Sequence, residues 1–123
     1  MRALVVDDSR ATRAILRRAL TDEGFEVFEA GDGKAALDQL VQNGGVDLAL
    51  VDWNMPLMNG CDLVRAVRAK PDLDGMAIMM VTSETEASQV TQALDAGANE
   101  YLMKPFTEAV LKEKLLLLGL AKG

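Results

Sequence analysis

The sequence contains no histidine and a single cysteine, Cys61. The first absence excludes an imidazole base, nucleophile or metal ligand supplied by this chain. The second excludes an intrachain disulfide and a zinc site built on thiolates. Basic residues are in the minority, 13 against 19 acidic, for a net charge of -6. Such a balance disfavours nonspecific binding to nucleic acid or to an anionic membrane, both of which need a basic surface. No apolar run approaches the ~20 residues of a membrane span. Leu115–Leu118 is four leucines and stops at Gly119. The apolar run at the amino terminus is too short for a signal peptide. A soluble cytoplasmic protein, with no membrane insertion and no nucleic-acid partner, is expected.

Half of the 123 residues are apolar and 26% are charged, which separates the chain from disordered sequences. The length suits one domain over residues 1–123, with a core that needs no staples. Strand-sized apolar runs occupy Ala3–Val6, Glu26–Ala30, Leu48–Val51, Ala77–Val81 and Glu100–Met103. Three of them are apolar at successive positions, as in central strands of a parallel sheet covered on both faces. Helical spacing fills the intervals. Thr12, Ile15, Leu16 and Ala19 form a first stripe, with Arg10, Arg13 and Arg17 opposite and Gly24 as stop. Further stripes are Leu37, Leu40 and Val41; Leu63, Val64 and Val67; Val90, Ala93 and Leu94; and Leu111, Leu115 and Leu118. Strand and helix thus alternate five times, the pattern of a doubly wound α/β sandwich. The last helix runs to within a few residues of the chain end, so no output domain is expected to follow.

Polar residues collect at the carboxyl ends of the strands: Asp7-Asp8, Asp52-Trp53-Asn54, Thr82-Ser83 and Lys104-Pro105. In an open α/β sheet, ligands bind beyond those ends, where the strand order reverses. Three carboxylates brought together there repel by roughly 4 kcal/mol per pair at an effective dielectric of about 20. Lys104 offers one compensating charge, and a hard divalent cation such as Mg²⁺ suits the oxygen ligands. The site is then prepared for a phosphoryl group, and Asp52 is the best placed carboxylate to accept it as an aspartyl phosphate. Pro56 and Gly60 shape the loop after it. Lys104 would serve the phosphoryl oxygens and Thr82 would donate a hydrogen bond to one of them. A blander role exists for each residue: Asp8 or Ser9 is also a helix cap, and Lys-Pro is often only a turn. The ordered set after strands one, three, four and five argues for a site. Cys61 and most methionines, as in Ile78-Met79-Met80, read as packing.

These residues resemble the receiver domain of bacterial two-component response regulators, particularly the single-domain chemotaxis type. The resemblance covers the whole chain. It rests on Val5-Val6-Asp7-Asp8-Ser9, Val51-Asp52-Trp53-Asn54-Met55-Pro56 with Gly60, Val81-Thr82-Ser83-Glu84, Ala96-Gly97-Ala98-Asn99-Glu100-Tyr101 and Lys104-Pro105-Phe106. It implies a flavodoxin-like (βα)5 fold with a five-stranded parallel sheet of order 2-1-3-4-5. It implies that Asp52 is phosphorylated from a histidine kinase. Asp8, Asp52 and the backbone carbonyl of Asn54 would bind Mg²⁺ directly, and Asp7 through a water. Thr82 and Lys104 would contact the phosphoryl group, and Lys104-Pro105 would be a cis peptide. Thr82 and Tyr101 would form the switch, while Asn54 and Glu84 would tune dephosphorylation toward a short-lived signal.

The last helix carries more leucine than one face can bury. Lys114, Leu116 and Leu117 are therefore a candidate partner face, for output or for dimerisation, although a monomer is expected. The output partner would be a flagellar motor protein, or a histidine phosphotransfer protein if the chain is a phosphorelay intermediate. Two other classes share ingredients. A haloacid-dehalogenase-type phosphatase places its nucleophile after the first strand and usually carries a cap domain. A flavodoxin-like FMN carrier needs a hydroxyl- and glycine-rich loop where Asp7-Asp8 would repel phosphate. The expected protein is thus a signalling switch whose only chemistry is slow self-phosphorylation and self-dephosphorylation, not an enzyme.

Overall fold

The computed structural model describes residues 1–55, 58–73, 75–83 and 89–120. Its elements are β1 (Arg2–Val6), α1 (Arg10–Asp22), β2 (Glu26–Ala30), α2 (Gly33–Asn43), β3 (Leu48–Asp52), α3 (Gly60–Arg68), a 3-10 turn (Pro71–Leu73), β4 (Ala77–Ser83), α4 (Val90–Ala96), β5 (Glu100–Lys104) and α5 (Glu108–Leu117). All strand pairs are parallel, in the order β2-β1-β3-β4-β5. The expected flavodoxin-like sheet is therefore the observed one. Strands extend slightly beyond the apolar runs because Asp52, Thr82, Ser83 and Lys104 continue the ladders as polar residues.

Period-two alternation divides the core into two layers. Leu4, Val6, Ala49, Val51, Ile78 and Met80 face α2, α3 and α4, where Ala36, Leu40, Leu63, Val64, Val67 and Ala93 meet them. Ala3, Val5, Leu48, Leu50, Met79 and Val81 face α1 and α5, where Leu16, Leu20, Leu111 and Leu115 meet them. Burying each of the valine, leucine, isoleucine and methionine side chains contributes roughly 1.5–3 kcal/mol. Cys61 belongs to the first layer and packs as expected.

Several helix stripes differ from the sequence reading. Ile15, Val41 and Leu94 are exposed, and Leu20 and Ala36 are buried instead. The sheet selects the face. A helix lying on β1 and β2 points positions 16, 19 and 20 inward, and Ile15 lies outside that arc. Leu118 is only partly buried, packed against the second layer. Side-chain caps fix four helix starts: Ser9 accepts from Thr12 N, Asp32 from Ala35 N, Asn59 from Asp62 N and Thr107 from Val110 N. Each is worth about 1 kcal/mol. Ser9 takes the cap of α1, so the Asp8 carboxylate is not spent on it.

Gly60 sits where there is no room for a side chain. Its N–H donates to Trp53 O at 3.0 Å. A Cβ there would lie 2.5 Å from the Asp52 carbonyl oxygen and 2.7 Å from Met80 Cε. We expect Gly60→Ala to lose roughly 1–3 kcal/mol in urea denaturation, because the carbonyl it meets is part of the sheet. A variant as stable as the parent would show that the β3–α3 junction relaxes freely.

Candidate functional site

The site forms where β1 and β3 lie side by side and the chain leaves them in opposite directions. Asp7 follows β1, Asp8 opens the turn into α1, and Asp52 closes β3. The backbone of Asp7 is held by its N–H, which donates to Ala30 O at 3.1 Å. One carboxylate oxygen from each of Asp7, Asp8 and Asp52 lies within 4.8 Å of the others. Asp7 and Asp52 are buried, at 1% and 6% exposure, while Asp8 is open to solvent.

Lys104, at the end of β5, reaches across β4 to this cluster. Its Nζ is 3.4 Å from Asp52 Oδ1 and 3.7 Å from Asp7 Oδ2. The first distance is a long hydrogen bond and the second an ion pair only. One ammonium thus faces three carboxylates. The imbalance appears at Asp52, whose pKa is raised from 3.8 to about 6. Burial is the largest cause and the charge of Asp7 the next; Lys104 opposes both.

Asp7 Oδ1 accepts from Ser9 N at 2.8 Å, but Asp7 Oδ2 is buried with no hydrogen-bond partner. A buried carboxylate oxygen left in that state is costly unless a cation satisfies it. Three clustered carboxylates, one of them with an oxygen that lacks a hydrogen-bond partner, fit a hard divalent cation. The donor set is all oxygen, with no nitrogen or sulfur ligand among the clustered residues.

The other expected residues take distinct places. Thr82 is buried at the end of β4, and its hydroxyl donates to Ser83 O at 3.3 Å rather than to a carboxylate. Asn54 is exposed two residues beyond Asp52. Lys104–Pro105 is cis. Tyr101 is partly buried opposite Met80, with Lys114 Nζ 4.3 Å from its ring centroid. Lys114 also pairs with Glu100 at 3.1 Å. Leu116 and Leu117 are exposed, at 50% and 69%. Pro56 and Glu84 lie outside the described residues.

Sequence reasoning placed Arg13 on the solvent face of α1 with Arg10 and Arg17. In the fold its side chain is only 16% exposed, and it donates to Asp7 O at 2.5 Å. Its position at the border of the buried stripe, one turn into the helix after Asp7, was the available signal.

The model of the response regulator receiver domain family matches residues 3–116. The chain belongs to that family. This receiver domain is 48% identical over 125 residues to a chemotaxis protein CheY homolog of Campylobacter jejuni (strain 81-176), covering 100% of this chain and 96% of that protein. It is 47% identical over 116 residues to the chemotaxis protein CheY of Pseudomonas aeruginosa, covering 94% and 93%. The solved structure of the chemotaxis protein CheY4 of Vibrio cholerae, crystallized at low pH, superposes with a TM-score of 0.86 at 35% identity, covering 94% of this chain and 96% of that one. The receiver domain is thus of the CheY, chemotaxis-like type.

The raised Asp52 pKa gives stability a pH signature. The neutral carboxyl favours the fold, so its contribution is fully present below pH 3.8 and is lost as pH rises through about 6. Above that, the fold carries an ionised Asp52 whose cost, from the two pKa values, is about 3 kcal/mol. Asp52→Asn lacks that cost. In chelator-containing buffer we expect it to exceed the parent in urea stability at about pH 8, by up to about 3 kcal/mol. The gap should close as pH falls through about 6 toward 4. Parallel stabilities across this range would show that the site does not destabilise the ionised carboxylate.

Proposed function

We propose that this chain is a phosphoacceptor switch of the cytoplasm, in which Asp52 takes a phosphoryl group from the phosphohistidine of a histidine kinase. The observation that supports it most is the convergence of three carboxylate oxygens within 4.8 Å, with Lys104 3.4 Å from the central one. Asp8, Asp52 and the Asn54 carbonyl would hold Mg²⁺ directly, with Asp7 acting through a water. When bound, Mg²⁺ supplies positive charge against the carboxylates and the phosphoryl oxygens.

The chain's own residues do the rest. With a pKa of about 6, Asp52 is mostly ionised at neutral pH and is the attacking group. Its oxygen forms a bond to phosphorus as the N–P bond of the donor breaks, and that bond's electron pair stays on the imidazole nitrogen. The ammonium of Lys104 meets the charge carried by the phosphoryl oxygens. The Thr82 hydroxyl gives up its weak bond to Ser83 O and donates to the phosphoryl group instead. Tyr101 follows behind it, and the face of α4, β5 and α5 changes its affinity for an output protein. The chemotaxis names of the relatives favour a flagellar motor protein for that role over a histidine phosphotransfer protein. A phosphatase of haloacid-dehalogenase type fits less well, because the central aspartate ends β3 rather than β1. The chain is accordingly read as a switch, not an enzyme.

Incubation with a small phosphodonor and Mg²⁺ should produce one acid-labile phosphoryl adduct, absent in Asp52→Asn and strongly reduced by chelator. The resemblance gives Asn54 and Glu84 the role of tuning dephosphorylation toward a short-lived signal, so the adduct should decay well within hours. An adduct that forms equally in Asp52→Asn would refute the assignment, and one that lasts for hours would refute the fast-decay reading.

We assign Leu116 and Leu117, beside Lys114, to a partner contact on α5. The double variant Leu116→Glu, Leu117→Glu should lower capture of the output protein by the phosphorylated chain. Unchanged capture and unchanged sedimentation would remove these leucines from any interface.

A further inference from the structure

We propose that Arg13 is a positioning residue of the acidic site: it orients the Asp7–Asp8 peptide toward a divalent cation, and Glu29 holds Arg13 in place. This inference rests on the metal reading given above. The carbonyl of Asp7 lies beyond the last pairs of both β1 ladders, Val6 with Ala30 and Val6 with Val51, so among the described residues no ladder supplies it with a donor. Arg13 NH1 supplies one at 2.5 Å. The same guanidinium donates through Nε to Glu29 Oε1 at 3.2 Å, and Arg17 NH1 donates to Glu29 Oε2 at 2.6 Å.

The chain of contacts runs from α1 through β2 to the peptide that carries two of the three clustered carboxylates. The Asp7 side of that peptide is also fixed by Ala30 O and by Ser9 N. With Arg13 in place, the peptide plane is held from both sides, and with it the approach of the Asp7 carboxylate to Asp8 and Asp52. Glu29 has a second effect. It neutralises a guanidinium that would otherwise add uncompensated positive charge beside a cation site. Arg17 and Arg13 both hold the Glu29 carboxyl below its ordinary range, so it stays charged for this task.

Groups outside the ligand set that orient it are commonly worth about 10–100-fold in metal affinity. The single tryptophan, Trp53, is buried next to Asp52, so its fluorescence should report Mg²⁺ binding. Arg13→Gln should weaken Mg²⁺ by about tenfold. Glu29→Gln, which keeps Arg13 but frees it, should weaken Mg²⁺ similarly and serves if Arg13→Gln is too unstable to titrate. Arg13→Lys should recover part of the loss. Without Mg²⁺, the Asp8 amide resonance should shift in Arg13→Gln, because the hydrogen bond to Asp7 O polarises that peptide. Glu29→Gln and Arg13→Gln proteins that bind Mg²⁺ within about twofold of the parent, or more tightly, would overturn the inference alone. A parent protein with no Mg²⁺ response would overturn the metal reading and this inference with it.

Discussion

Mutual repulsion among Asp7, Asp8 and Asp52 is the constraint around which this molecule is organised. Oxygens within 4.8 Å of one another cost about 3–4 kcal/mol per charged pair at an effective dielectric of 20. Hydrophobic burial on both faces of the sheet holds them there regardless. The strands beneath are too well packed to splay, so burial first, and the charge of Asp7 second, raise the Asp52 pKa, while Asp7 keeps one oxygen without a hydrogen-bond partner. Lys104 relieves the repulsion only in part. A fold that keeps such charges close stores an attraction for cations and for the oxygens those cations bring with them.

Strand order explains why so little chain is needed to build this arrangement. β1 and β3 are neighbours although β2 lies between them in sequence. The carboxylates of two distant segments therefore sit on adjacent strand ends. β4 and β5 then bring Thr82 and Lys104 in from the other side. Gly60 lets α3 start directly against the Asp52 carbonyl.

Much of this was legible in the residues. Strand positions followed from apolar runs bounded by Asp, Asn and Gly, and the acidic cluster followed from placing polar residues at strand ends. What was not legible depended on tertiary choice. The arc of α1 that meets the sheet could not be deduced from Ile15 and Leu16, which are equally apolar; only packing against β1 and β2 selects Leu16 and Leu20. Arg13 was misplaced for the same reason. An arginine on a helix flank reads as solvated until the carbonyl it reaches, that of Asp7, is fixed in space. Strand ends were set short because ladder hydrogen bonds ignore side-chain polarity, which is why Asp52 and Lys104 are strand residues.

The charge on the sheet's outer strands has a consequence of its own. β2 carries Glu26 and Glu29, and β5 carries Glu100 and Lys104, whereas β3 and β4 hold only Asp52 between them. An outer strand with unpaired backbone groups invites another chain to add on, and charged side chains along it oppose that docking. Charged residues on both outer strands thus work against edge-to-edge addition of further copies of this chain.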